Sequence, residues 1–199
     1  MNYLAHALLA GDHPADRIGG VIGDFVKGPL DPLPAGLGPG LAAGVMLHRR
    51  IDSFADRHPA FLRSRGRVSA ARRRVGGVMV DMFYDHFLAR HWAHFSDQAL
   101  GDFTADTYRM IAAHPEPLPP TFGPVFERMR AHDWLASYRD AAVVALALDR
   151  MAETRLRRPN PLAGAGEELL ACQAGLEADF FEFLPDALAF ARSVIRQRG

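Results

Sequence analysis

The chain is predicted to fold as an all-α protein, a compact helical bundle with no confident β-strand. Three observations lead there. Val78, Met82, Phe83, Phe87, Leu88 and Trp92 recur at helical spacing. Proline and glycine punctuate the chain into pieces of helix length. No run of alternating β-branched residues is long enough to make a strand. At 199 residues the chain is expected to form one helical domain, residues 1–199.

Taken in order, Asn2 is placed to cap a short helix through Leu4, Ala5, Leu8 and Leu9. Gly11–Pro14 breaks it. A second short helix is expected over Ala15–Val26, and its Gly19, Gly20 and Gly23 admit the close approach of another backbone or a ligand. Residues 28–40, with four prolines, read as a loop. A long helix over Pro39–Arg57 follows, then a break at Pro59 and an arginine-rich stretch to Arg74. A third long helix is expected over Val68–Phe95, bent at Gly76-Gly77. Helices over 97–114, 121–132, 134–157 and 165–196 complete the chain, with a loop at Arg158–Pro161 and a kink before Pro185.

Bulk composition excludes several function classes. Lys plus Arg and Asp plus Glu both total 23, so net charge gives no argument for nucleic acid. No apolar run approaches the ~20 residues of a membrane span, and no signal peptide is read at the N-terminus. Cys172 is the only cysteine, which rules out a disulfide within the chain and a Cys-rich zinc site. A cytoplasmic protein is expected. Lys27 is the only lysine, so nearly all positive charge is arginine, either a codon bias or a use for its planar fork of donors.

Two segments carry candidate chemistry, His48-Arg49-Arg50-Ile51-Asp52 and Asp81-Met82-Phe83-Tyr84-Asp85-His86. Each sets two potential ligands four residues apart, on one face of a helix. Unpaired carboxylates are costly to bury, so several aimed inward want a cation. A divalent-metal hydrolase is the expectation, with Asp24, His48, Asp52, Asp81, Asp85 and His86 as the pool of ligands and supporting groups. Five helical steps turn His86 about 140° from Asp81, so the two do not share a face. An arginine clamp from Arg49, Arg50 or Arg90 is the competing way to satisfy the acids. Arg63, Arg65, Arg67, Arg72, Arg73 and Arg74 are either a solvated face or a dock for an anionic partner.

The blocks Met1–His6, Gly23–Gly28, His48–Asp52, Asp81–Trp92 and Trp134–Asp140 resemble the acyl carrier protein phosphodiesterases, in that family's order and spacing; residues 28–40 and 115–130 resemble it least. The resemblance implies hydrolysis of the phosphodiester joining 4′-phosphopantetheine to a serine of holo-acyl carrier protein. It implies a divergent, HD-domain-like relative of the His-Asp metal phosphohydrolases that prefers Mn²⁺, with Mg²⁺ or another divalent cation as alternatives. By motif, Asp24, His48, Asp52, Asp81, Asp85 and His86 are its metal-site residues, and Asn2 and His6 lie in a matching block without an assigned role. Asp24, Arg49, Arg50, His91 and Tyr138 are the catalytic candidates: Arg49 or Arg50 to steady the phosphate, His91 or Tyr138 to protonate the serine oxygen. Arg65, Arg67, Arg72, Arg73 and Arg74 would meet the acidic carrier. Two other readings stay open: a phosphohydrolase acting on a nucleotide or other small phosphodiester, and a non-catalytic helical protein that binds acyl carrier protein.

Overall fold

The computed structural model describes residues 1–154 and 160–198. Among these are eleven α-helices and no strand, as the sequence predicts. They are α1 (Tyr3–Leu9), α2 (Pro14–Ile22), α3 (Pro39–Ala55), α4 (Pro59–Arg67), α5 (Gly76–Arg90), α6 (Leu100–Ala112), α7 (Gly123–Ala131), α8 (Trp134–Ser137), α9 (Ala141–Thr154), α10 (Gly166–Ala171) and α11 (Gln173–Arg196).

Helix α5 is the axis of the core. From Met82 to Ala89 every residue is buried, including Asp85 and His86. A helix that is apolar nearly all round must be covered on all sides, and α1, α4, α8, α9 and α11 do this. The aromatic rings of Phe61, Tyr84, Phe180 and Phe183 meet where α4, α5 and α11 join, with Phe61 edge-on to Tyr84 at 5.6 Å. A polar cluster closes that junction. Asp179 is buried and accepts from Ser64 Oγ at 3.0 Å, Arg67 Nε at 2.8 Å and Arg63 Nε at 3.1 Å, while Ser64 also pairs with the Tyr84 hydroxyl at 2.9 Å.

Helices α2 and α3 form the tightest pair. Gly19 stands against Gly44, and a Cβ on Gly19 would lie 2.5 Å from the Gly44 Cα. Of the glycines expected to admit a neighbour, Gly19 and Gly20 admit another backbone and Gly23 a side chain.

Several expected boundaries differ. Residues 59–67 form α4, with Pro59 at its first position, where the missing N–H costs nothing. The stretch expected as one helix over Val68–Phe95 is a 3₁₀ turn over Ala70–Val75, then α5, then a 3₁₀ turn over Trp92–His94. The Ser69 side chain and backbone N–H bond to Glu168 and hold the entry to that turn away from α-helical continuation. The helix expected over 134–157 is broken after Ser137, and Asp140 accepts from the Ala142 N–H at the start of α9. Its last residues, 155–157, and the first two of the Arg158–Pro161 loop lie outside the described residues. Helix α11 runs across Pro185 without a break. Among the described residues no helix is long and apolar enough to cross a membrane.

Candidate functional site

The site lies where α1, α3, the end of α2 and the middle of α5 come together. His48 is buried in α3. Its Nδ1 faces the Gly20 carbonyl at 2.8 Å, so Nδ1 carries a proton and Nε2 is the nitrogen turned toward the carboxylates. That nitrogen points at Asp52 Oδ2, 3.1 Å away one turn along the helix, and at Asp24 Oδ1, 3.8 Å away. Gly23 makes room for the ring: a Cβ there would sit 2.3 Å from His48 Cγ.

A second imidazole completes the cluster. His6, from α1, stacks on His48 with ring centroids 3.7 Å apart and planes 20° from parallel. Its Nε2 is 3.0 Å from Asp52 Oδ1, and its Nδ1 is buried without a partner among the described residues. One donor atom each from His6, His48 and Asp52 lie within 4.8 Å of one another. Asp81 and Asp52 converge on the Met1 amino group, at 2.7 and 3.2 Å.

The electrostatics follow from this crowding. Burial opposes charge on His48, but Asp24 and Asp52 outweigh it and raise its pKa to about 9. Burial lowers His6 to about 4, and the neighbouring His48 charge adds to that. Burial works against the Asp52 anion, yet bonds from both imidazoles hold its carboxyl far below the usual range. The His48 bond holds Asp24 low. Loss of solvent raises Asp81 despite the Met1 ammonium beside it, and that ammonium, opposed by burial, is lifted by the two aspartates to about 11. The result is a neutral and a charged imidazole stacked together over ionised carboxylates.

A sequence model of the acyl carrier protein phosphodiesterase family matches residues 1–187. The chain belongs to that family. It is 34% identical over 194 residues to the acyl carrier protein phosphodiesterase of Serratia proteamaculans (strain 568), covering 96% of this chain and 98% of that one. Against the proteins of the same name from Escherichia coli O157:H7 and Shigella boydii serotype 18 it is 33% identical over 193 residues, with 96% of this chain and 97% of each covered. No solved structure matches the chain.

Within this family member, the residues singled out from sequence fall into distinct settings. Asp24, His48 and Asp52 are brought together. Asp85 is on the same face of α5 as Asp81, but both face α1: Asp85 accepts from the Leu4 N–H at 2.8 Å and the Ala5 N–H at 3.1 Å. It serves as the N-terminal cap of α1, a place where the Asn2 side chain makes no cap bond. Burial raises Asp85 to about 7, against the pull of those two amides. His86 is turned away, its Nδ1 2.9 Å from the Tyr138 carbonyl, as its 140° rotation requires.

Among the described residues no arginine pairs with Asp24, Asp52, Asp81 or Asp85; imidazoles, amides and the Met1 ammonium do. The arginine clamp is therefore not what satisfies them. Arg49 donates to the Val26 carbonyl at 2.8 Å. Arg50 lines a groove with Ser53, Phe54 and Arg57, on the side of α3 about 200° from His48. His91 pairs with Glu177 of α11, and Tyr138 is buried. Of the arginine strip, Arg67 is bound to Asp179, Arg65 lies 3.5 Å from Asp56, and Arg72 reaches Glu168 and the Pro161 and Ala163 carbonyls. Arg73 and Arg74 are exposed. His6 is the residue to which sequence reasoning gave no place in the ligand set. Its signal is there: a histidine in a short helix whose other residues are almost all buried and apolar.

Proposed function

We propose that this chain hydrolyses the phosphodiester between 4′-phosphopantetheine and the serine of holo-acyl carrier protein, releasing the apo-carrier and free 4′-phosphopantetheine. One observation carries the reading: His6, His48 and Asp52 converge from two helices to within 4.8 Å, in a chain that aligns nearly end to end with relatives named for this activity.

The residues fit a divalent cation. The donor set mixes imidazole with carboxylate, a pairing that suits Mn²⁺ and its neighbours. The Gly20 carbonyl holds the Nδ1 proton of His48, so a cation that displaces the second proton would meet Nε2, and the buried His6 Nδ1 has no competing partner among the described residues. His6, His48 and Asp52 would hold the ion, with Asp24 and Asp81 beside it. We assign Mn²⁺, with Mg²⁺ as the alternative, in an HD-domain-like site. When bound, such an ion offsets charge on the non-bridging phosphate oxygens and makes water a better nucleophile at neutral pH.

The chain's own groups supply the rest. Asp24, 61% exposed at the rim and held ionised by His48, takes a proton from the incoming water. As the new P–O bond forms, the bond to the serine oxygen breaks, and that proton passes to the leaving serine. Arg49 acts by position, holding Val26 and the Asp24 segment against α3. Arg73 and Arg74, with no ion-pair partner among the described residues and within the 3₁₀ turn that leads into α5, meet the acidic carrier. A cytoplasmic setting is the one such a substrate implies.

The test is mass analysis of holo-acyl carrier protein incubated with the chain and Mn²⁺. The carrier loses the whole phosphopantetheine group, chelator blocks the loss, and His48→Ala and Asp52→Ala abolish it with helical content unchanged. A carrier that keeps its prosthetic group, or loses it as fast after exhaustive chelation, overturns the reading.

A further inference from the structure

Beside Asp24 opens a groove of about 310 Å³, walled by residues 25–27, 34–37 and 117–120. The geometry points to this groove as the seat of the pantetheine arm, a specificity subsite of the phosphodiester site; the inference rests on the reaction proposed above.

The groove adjoins the site along the chain. Its wall begins at Phe25, next in sequence to Asp24, whose carboxylate faces His48. It is also fixed to the site at two points. Arg49, neighbour of His48, holds the Val26 carbonyl at 2.8 Å. The Phe25 ring stacks 6.5 Å from Tyr3 of α1, the helix that carries His6. The same ring packs edge-on to Phe122 at 5.1 Å, which ties the far wall to the near one. The groove wall is therefore joined directly to the two helices that carry His6, His48 and Asp52.

The lining matches the arm. Pro34, Pro117, Pro119 and Pro120 have no backbone N–H, and Leu37 and Leu118 add apolar surface. Such a wall takes a neutral chain with a branched hydrocarbon centre and amides of its own N–H groups. It offers few donors to a polar base or sugar. Lys27 is the single cation in the lining, suited to the phosphate end of the arm. The volume is at the lower end of the ~300–1,000 Å³ of small-molecule pockets, room for one narrow chain.

The probes are free 4′-phosphopantetheine and inorganic phosphate, titrated calorimetrically into the Mn²⁺-supplemented protein. The wild type is expected to bind 4′-phosphopantetheine at least tenfold more tightly than phosphate. Ala35→Trp, at an exposed position in the groove wall, fills the space and brings that ratio close to one, with an unchanged circular dichroism spectrum. As a second variant, Lys27→Ala weakens both ligands. Wild-type affinities that are equal, or a ratio that survives Ala35→Trp, overturn the subsite when the same preparation strips holo-carrier. A preparation that strips no carrier overturns the reaction and the subsite together.

Discussion

Gly44→Ala tests how the ligand set is held, because the site depends on α2 and α3 lying closer than two ordinary helices do. A Cβ on Gly44 would stand 2.5 Å from the Ala15 carbonyl oxygen and 2.9 Å from the Asp16 Cα. Both are backbone atoms, so no rotamer change relieves the contact. Restoring even a tight 3.4 Å separation requires the helices to part by about 0.9 Å, the shortfall from 2.5 Å. His48, one turn on from Gly44, then loses its bond to Gly20, since 2.8 Å lengthened by that shift exceeds hydrogen-bond range. Overpacking of this kind costs about 1–3 kcal/mol, and the lost bond about 1 kcal/mol more. The helix propensity of alanine returns about 1 kcal/mol. The net loss is ~1–3 kcal/mol, a fall in Tm of roughly 3–10 °C for a chain of this size. Urea unfolding with a shared m-value measures it, and Mn²⁺ affinity should fall in parallel. Gly101→Ala is the control: a Cβ there meets nothing within 4 Å, so stability should hold or rise by a few tenths of a kcal/mol. A Gly44→Ala protein as stable as the wild type refutes the close-contact argument.

Three further outcomes are expected. Asp85→Ala strands the buried Leu4 and Ala5 N–H groups and should cost about 2–4 kcal/mol, Asp85→Asn less; unchanged urea midpoints and unchanged hydrogen exchange at those two amides would show that Asp85 does not cap α1. In metal-free protein the raised His48 pKa of about 9 contributes stability that is complete below 6.5 and lost as pH rises through about 9, on the order of 3 kcal/mol. The Met1 amino group, lifted to about 11, acts in the same direction, and His48→Gln should flatten the alkaline decline in urea titrations between pH 6.5 and 9.5. A decline of the same size in that variant sinks the assignment of the proton to His48. Finally, Arg73→Ala with Arg74→Ala should raise KM for the carrier and weaken its salt dependence without loss of stability, whereas Arg72→Ala, which severs the bonds to Glu168, Pro161 and Ala163, should lower stability by about 2 kcal/mol. An unchanged KM in the double variant removes those two arginines from docking.

Periodicity carried much of the site. Four residues is about one helical turn, so His48 and Asp52 had to share a face, and so did Asp81 and Asp85. The same rule turned His86 aside, and it is found on the Tyr138 carbonyl. The three glycines of α2 announced a close neighbour, and the apolar circumference of α5 announced a central helix.

A helix face does not name what it meets, however. Asp81 and Asp85 look toward α1, where buried amides and the Met1 ammonium satisfy them. Sequence alone offers the arginines of α4 as a solvated face or a dock for an anionic partner, but Asp179, more than a hundred residues away, binds two of them. His6 joins the His48–Asp52 cluster only because α1 packs across α2 and lays its imidazole on His48.

By itself, then, the sequence determined the all-α class, the His48–Asp52 pair and the family. The tertiary structure alone decided that His6 joins that pair and that Asp85 serves α1. The physical reason is that spacing along one helix sets direction, whereas partners come from contacts between segments far apart in the chain, set by how apolar faces and glycine gaps pack.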